Sequence, residues 1–216
     1  MTTRVLLVDD HLLMREGLRA ILEREPSLAV VGEAASGRDA VVLTRALRPD
    51  VVIMDVAMKD LNGIEATRQI RAERPEAKVV ALSSHSDRRY VAAILAAGAS
   101  GYVLKANAYD ELRRAVDAAT QGKSHLSAEV AGAVIETALA VRPPAGSAYG
   151  TLSAREREVL QLLAEGHTSS EIGGHLHLST STVETHRRNL MGKLGIHSVA
   201  ELTKYAVREG LTSLEP

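Results

Sequence analysis

Residues 51–55 read Val51-Val52-Ile53-Met54-Asp55, four apolar side chains in succession and then an acid. A strand with one face in water alternates apolar and polar residues, whereas a strand buried on both faces does not. Val79-Val80-Ala81-Leu82 repeats the pattern and runs into Ser83-Ser84. Outward from these two runs, 4–8, 29–31 and 101–104 complete five strand-like segments. Amphipathic stretches at 12–25, 38–47, 63–73, 88–97 and 109–120 follow them in turn. Strand and helix alternating five times predict a parallel α/β sheet with helices on both faces and right-handed crossovers.

The ends of these strands carry the chemistry. The first ends in Asp9-Asp10, the third in Asp55, the fourth in Ser83 and the fifth in Lys105. In a doubly wound sheet, ligands gather at the carboxyl ends of the strands. Singly, most of these residues have plain structural roles. Asp9-Asp10 can cap a helix, Ser83 can sit in a turn, and Lys105 can be a solvated charge. Asp55 is different, because an acid straight after four buried apolar residues is costly without a purpose. Three clustered carboxylates repel one another unless a cation lies between them, and oxygen ligands with room for water suit Mg²⁺. A lysine and a hydroxyl beside that ion make a cradle for a phosphoryl group, with Asp55 as nucleophile.

Bulk properties limit the alternatives. With 216 residues, 45% hydrophobic and 25% charged, the chain suits one large or two small globular domains. The absence of Cys excludes disulfides and thiol chemistry. No apolar run approaches a membrane span, and Val5 to Val8 is too short for a signal-peptide core, so a soluble cytoplasmic protein without a membrane partner is expected. Net charge is −1, so DNA binding must rest on local placement of charge.

Residues 126–142 read as one more helix, and Arg142-Pro143-Pro144-Ala145-Gly146 through Gly150 as a flexible linker. Beyond it the pattern is helical only. Ser153-x-x-Glu156, Thr168-x-x-Glu171 and Ser181-x-x-Glu184 read as capping boxes that open three helices, and a last helix spans 199–208. The long helix from 181 to 194 is expected to expose Thr182, Glu184, Thr185, Arg187 and Arg188, with Lys193 further along.

The first 125 residues resemble the receiver domain of two-component response regulators through Asp9-Asp10, Asp55, Asn62-Gly63, Ser83 and Tyr102-Val103-Leu104-Lys105. The resemblance implies a flavodoxin-like fold with strand order 2-1-3-4-5. It implies Asp55 as phosphoacceptor and Lys105 as phosphate contact, with Ser83 and Tyr102 as the switch pair. Mg²⁺ would be held by Asp10, Asp55 and the carbonyl of Ala57, with Asp9 assisting through water. This chain departs from the family in carrying Lys59 and Ala106 where proline is usual. A cis bond before alanine costs about 2.5–4 kcal/mol, which bears on the geometry of the Lys105 loop.

Residues 151–216 resemble the LuxR-type helix-turn-helix of the NarL/FixJ subfamily through Leu152-Ser153-x-Arg155-Glu156, Glu171-Ile172, Thr182-Val183-x-Thr185-His186 and Lys193-Leu194-Gly195. The resemblance makes Thr168, Ser179, Thr182, Glu184, Thr185, Arg187, Arg188 and Lys193 the expected contacts to double-stranded DNA. Glu184 and Thr185 would read bases, while Arg187 and Arg188 mainly bind phosphate. A sensor histidine kinase is the expected phosphodonor and a homodimer the expected form on DNA. Residues 126–150 connect the two domains. Two rival readings stay open on sequence: a Mg²⁺-dependent phosphohydrolase with an aspartyl intermediate, and a regulator that is never phosphorylated.

Overall fold

In the computed structural model, which describes residues 2–139, 148–209 and 211–212, the apolar runs become one parallel sheet in the order β2-β1-β3-β4-β5-β6. Its elements are β1 (Thr3–Val8), α1 (Leu12–Leu22), β2 (Leu28–Ala34), α2 (Gly37–Leu47), β3 (Val51–Asp55), α3 (Gly63–Glu73), β4 (Lys78–Ser83), α4 (Arg88–Ala96), β5 (Gly101–Leu104), α5 (Ala108–Thr120), β6 (His125–Leu126) and α6 (Ala128–Leu139). Side chains alternate across each strand. Val5 and Leu7 of β1 therefore pack with Leu18 of α1 and Leu112 of α5. Leu6 and Val8 pack with Val41 of α2 and Ile70 of α3. Both faces are covered, which is why the central strands lack polar alternation.

The expected order 2-1-3-4-5 is present, with one addition. Residues 126–139 do not form the single helix expected for 126–142, and 140–142 lie outside the described residues. His125 and Leu126 pair in parallel with Gly101 and Tyr102 as a sixth strand, and α6 begins only after Ser127. The reason is local: the Ser127 N–H bonds the carbonyl of Tyr102 at 2.9 Å, which holds the chain on the sheet before the helix turns away. β2 is also longer than expected, because Gly32 and Glu33 interrupt its apolar run yet stay in register with Leu6 and Leu7.

The chain divides into two compact units, Met1–Leu139 and Ala140–Pro216. Most of the proline–glycine stretch at 142–150 lies outside the described residues, and Ala148–Thr151 forms a short 3-10 turn. The second unit consists of α7 (Ala154–Ala164), α8 (Ser169–Leu176), α9 (Thr180–Leu194) and α10 (Val199–Arg208). They close on an aliphatic core that includes Leu160, Ile172, Val183, Leu190 and Leu202. Among the described residues, no helix is long and apolar enough to cross a membrane.

Candidate functional site

The sheet delivers Asp9, Asp55, Ser83 and Lys105 to one edge. Asp55 is the last residue of β3 and Ser83 of β4, while Asp9 and Lys105 directly follow β1 and β5. After Asp55 the chain must fold back tightly. A Cβ at Gly63 would lie 1.9 Å from the carbonyl oxygen of Asp55, so only glycine permits the return. Asn62 then caps α3 by accepting the N–H of Glu65 at 2.9 Å.

Asp9 and Asp55 are almost fully buried, at 0% and 2% exposure, and share one cation. Lys105 Nζ lies 2.7 Å from Asp9 Oδ2 and 2.8 Å from Asp55 Oδ2. The main-chain N–H of Ala57 donates to Asp55 Oδ1 at 3.3 Å. Burial pushes the Asp55 carboxyl up to about 6; Lys105 opposes the rise and Asp9 adds to it. For Lys105, burial works against the charge, but the two acids prevail and hold the ammonium above the ordinary lysine range. The protein has no cis peptide bond among the described residues, and Lys105 opens a 3-10 turn, Lys105–Asn107. Its ammonium reaches both acids with a trans bond before Ala106.

Two residues unmarked by the sequence reading complete the pocket. His11 donates its main-chain N–H to Asp9 Oδ1 at 2.9 Å, and its Nδ1 lies 2.8 Å from Asp10 Oδ1. Arg15 donates to the main-chain oxygen of Asp9 at 2.5 Å and pairs with Glu33 at 3.5 Å. Adjacency to the acid pair was the available signal for His11. Arg15 gives none, because its partners, the Asp9 main chain and Glu33 of β2, meet it only in the fold. Ligand atoms of Asp9, Asp10, His11 and Asp55 all lie within 4.8 Å of one another, and Asp9 Oδ2 has an ion-pair partner but no directed hydrogen bond. Such an acidic pocket fits a metal ion.

Ser83 and Tyr102 meet through His85. Ser83 Oγ accepts the His85 N–H at 3.0 Å, and the Tyr102 hydroxyl donates to the His85 carbonyl at 2.5 Å. Tyr102 is wholly buried, which pushes its hydroxyl up to about 12 and keeps it a donor.

In the second unit, α8 and α9 form the helix–turn–helix. Thr168 caps α8 through a complete capping box with Glu171. The box expected at Ser181 and Glu184 does not form. His177 takes a left-handed conformation (φ 54°) that ends α8, and the extended Ser179 caps α9 by accepting the N–H of Thr182. Glu184 is thereby free of capping and instead accepts from the Ser169 hydroxyl, with Arg187 at 3.6 Å. Thr185 and Arg188 are exposed, while Thr182 and Arg187 are half-buried. Lys193 stands apart from this group: its ammonium bonds the buried Glu156 at 2.7 Å and the carbonyl of Thr151 at 3.3 Å.

Comparison with known proteins agrees with both halves. Residues 5–117 match the family described as response regulator receiver domain, and residues 150–206 match bacterial regulatory proteins, luxR family. Over 212 residues the chain is 40% identical to transcriptional regulatory protein LiaR of Bacillus subtilis (strain 168), covering 97% of this chain and 99% of LiaR. A crystal structure of a LuxR-family two-component response regulator from Aurantimonas sp. SI85-9A1 matches with TM-score 0.61 and 39% identity, over 64% of this chain and 99% of that one. RcsB, solved as two dimers bound to two parallel DNAs, matches with TM-score 0.60 and 27% identity, over 97% of this chain and 99% of that one.

Proposed function

Because the chain belongs to the receiver family with a luxR-type domain, and is a DNA-binding transcriptional regulator of a two-component system, we propose that phosphorylation of Asp55 by a sensor histidine kinase shifts its dimerisation and DNA binding. It is a transcription factor rather than a classical enzyme.

The observation that carries the reading is the burial of Asp55 at a strand end beside Lys105 and Asp9. A carboxylate oxygen of Asp55 attacks the phosphorus of a phosphohistidine. An O–P bond forms, the P–N bond breaks, and the histidine nitrogen keeps the electron pair. Lys105 offsets the charge of the incoming group and the Ser83 hydroxyl donates to one of its oxygens. Asp10, Asp55 and the Ala57 carbonyl would hold Mg²⁺, with Asp9 assisting through water, and the ion would supply further positive charge when bound. The phosphoryl group carries roughly −1.5 to −2 charge, by analogy with other phosphorylated side chains, in place of the single negative charge of the carboxylate. Ser83 and Tyr102 convert that charge into a population shift.

The regulator acts in the cytoplasm as a homodimer on two half-sites; RcsB is solved as dimers bound to DNA. Glu184 and Thr185 face base edges, Arg187 and Arg188 face phosphates, and Thr168, Ser179 and Thr182 add hydroxyl contacts where α8 and α9 begin. Residues 1–125 receive the phosphoryl group, 126–150 connect, and 151–216 bind DNA.

Intact mass after incubation with acetyl phosphate and Mg²⁺, beside Asp55→Asn, tests the reading. One added phosphoryl group in the wild type and none in the variant is expected. Folded wild type that gains no mass would overturn it in favour of a regulator switched by a partner.

A further inference from the structure

Ser127 lies far from the switch tyrosine in sequence, yet it bonds both Tyr102 and the residue before Lys105. It is wholly buried between β6 and α6. Its hydroxyl accepts the N–H of Leu104, the residue before Lys105, at 3.1 Å, and donates to Glu111 of α5. Its N–H bonds the carbonyl of Tyr102 at 2.9 Å. Its carbonyl accepts the N–H groups of Val130 and Ala131 at 3.0 and 3.1 Å, and so starts α6.

A second strand of contacts runs parallel to the first. Asn107, which ends the turn opened by Lys105, donates to both carboxylate oxygens of Glu129 in the first turn of α6, at 3.0 and 3.2 Å. Its amide also reaches Glu111 at 3.4 Å. On the apolar side, Val130 of α6 is wholly buried in one cluster with Tyr102, Tyr90, Val91 and Ile94. α6 therefore rests on α4 and β5 directly over the switch tyrosine, and its first turn is bonded to the loop that carries the phosphate lysine.

We propose that Ser127, braced by Glu111, is a positioning residue for Lys105 and couples the Lys105 loop to α6, so that the state of the pocket is read out as the seating of α6. The inference rests on the phosphorylation of Asp55 for its use, but not for its mechanical content. Without the hydroxyl, the Leu104 N–H loses its acceptor and Glu111 loses a donor. Leu104–Lys105 and α6 then move independently.

Hydrogen exchange on the full chain tests this in two arms. In unphosphorylated protein, Ser127→Ala is expected to speed exchange about tenfold at both 104–108 and 128–139. A rise confined to 128–139 would show that Ser127 merely caps α6, and would overturn the coupling. In the second arm, wild type and variant are treated with acetyl phosphate and Mg²⁺, with intact mass reporting the phosphoryl group. The expected result is slower mass gain in the variant, by a few fold, and an α6 exchange response present in wild type but lost in the phosphorylated variant. Equal α6 responses overturn the proposal, whereas absence of mass gain in wild type counts against Asp55 phosphorylation and leaves the first arm to decide the coupling. Glu111→Ala should reproduce Ser127→Ala while Glu111→Gln, whose amide oxygen still accepts from Ser127, should not; this pair decides the matter if Ser127→Ala does not fold.

Discussion

The pocket at the sheet edge and the exposed face of α9 are both built from charged and hydroxyl side chains, but their charges find partners in different places. In the pocket, Asp9 and Asp55 are buried, Lys105 is partly buried, and they answer one another within 3 Å, at 2.7 and 2.8 Å. On α9, Thr185 and Arg188 are exposed, and under the proposed function their partner is DNA. A buried charge is expensive unless the fold pairs it, so its position in the sequence carries information. An exposed charge costs almost nothing, so it carries little. Lys193 illustrates the difference. It reads as one more cation on the DNA helix, yet its ammonium belongs to Glu156 inside the domain.

The largest effect should come from breaking the pocket from within. Lys105→Ala leaves Asp9 and Asp55 without their shared cation and removes the charge that faces the incoming phosphoryl group. The expected loss is about 10²-fold in the rate of Asp55 phosphorylation by acetyl phosphate, the scale of deleting one preorganised donor. A variant phosphorylated at the wild-type rate, followed by mass, would show that the ammonium only balances the resting acids.

The next comparison separates two cations on the same helix. Arg188→Ala should weaken binding to all DNA sequences alike and lower the slope of log affinity against log salt by about 1. Lys193→Ala should leave that slope unchanged. Instead it should destabilise the helical domain by about 1.5–3 kcal/mol, because Glu156, 5% exposed and held below the ordinary carboxyl range against its burial by Lys193 and Ser153, loses its charged donor. Salt titrations of DNA binding and urea unfolding of each variant check both halves. If the two substitutions trade places, the division of α9 drawn from Lys193 is wrong.

Much of this architecture is legible in residues, and the misses have physical reasons. The unbroken apolar runs Val51-Val52-Ile53-Met54 and Val79-Val80-Ala81-Leu82 announce central strands, and Asp55 announces itself by following one. β6 escaped notice because two residues cannot show a period; Ser127 holds them to the sheet by bonds to β5. The start of α9 is not legible in sequence because Ser179 and Ser181 are equivalent as capping residues. What separates them is the left-handed turn at His177, which no side-chain pattern encodes. Glu184 then had a neighbour, Ser169, from another helix. Arg15 meets the Asp9 backbone and Glu33 of β2, partners that emerge only from the fold, whereas His11 is marked by its adjacency to the acid pair.

The smallest expected effect contrasts how the two regions begin their helices. Asp87 caps α4 beside the switch pair, while the neutral hydroxyl of Ser179 caps α9. Hydrogen bonds from the Arg89 side chain and N–H pull the Asp87 carboxyl down to about 2 from an ordinary value of 3.8. A depressed folded-state value means that the ionised cap stabilises the fold above about pH 4. That contribution is lost as pH falls from there through about 2. The side chain is 40% exposed, so solvent screening reduces the contribution to about 0.5–1 kcal/mol. Asp87→Ala should therefore cost that much at pH 6 and progressively less toward pH 2. Ser179→Ala should cost about 1 kcal/mol with no pH dependence of its own, since a hydroxyl does not titrate there. Stability differences from urea unfolding between pH 6 and pH 3 distinguish the two caps. A cost for Asp87→Ala that stays constant over that range would mean that α4 is held by the packing of Tyr90 and Val91, and that its charged cap contributes only shape.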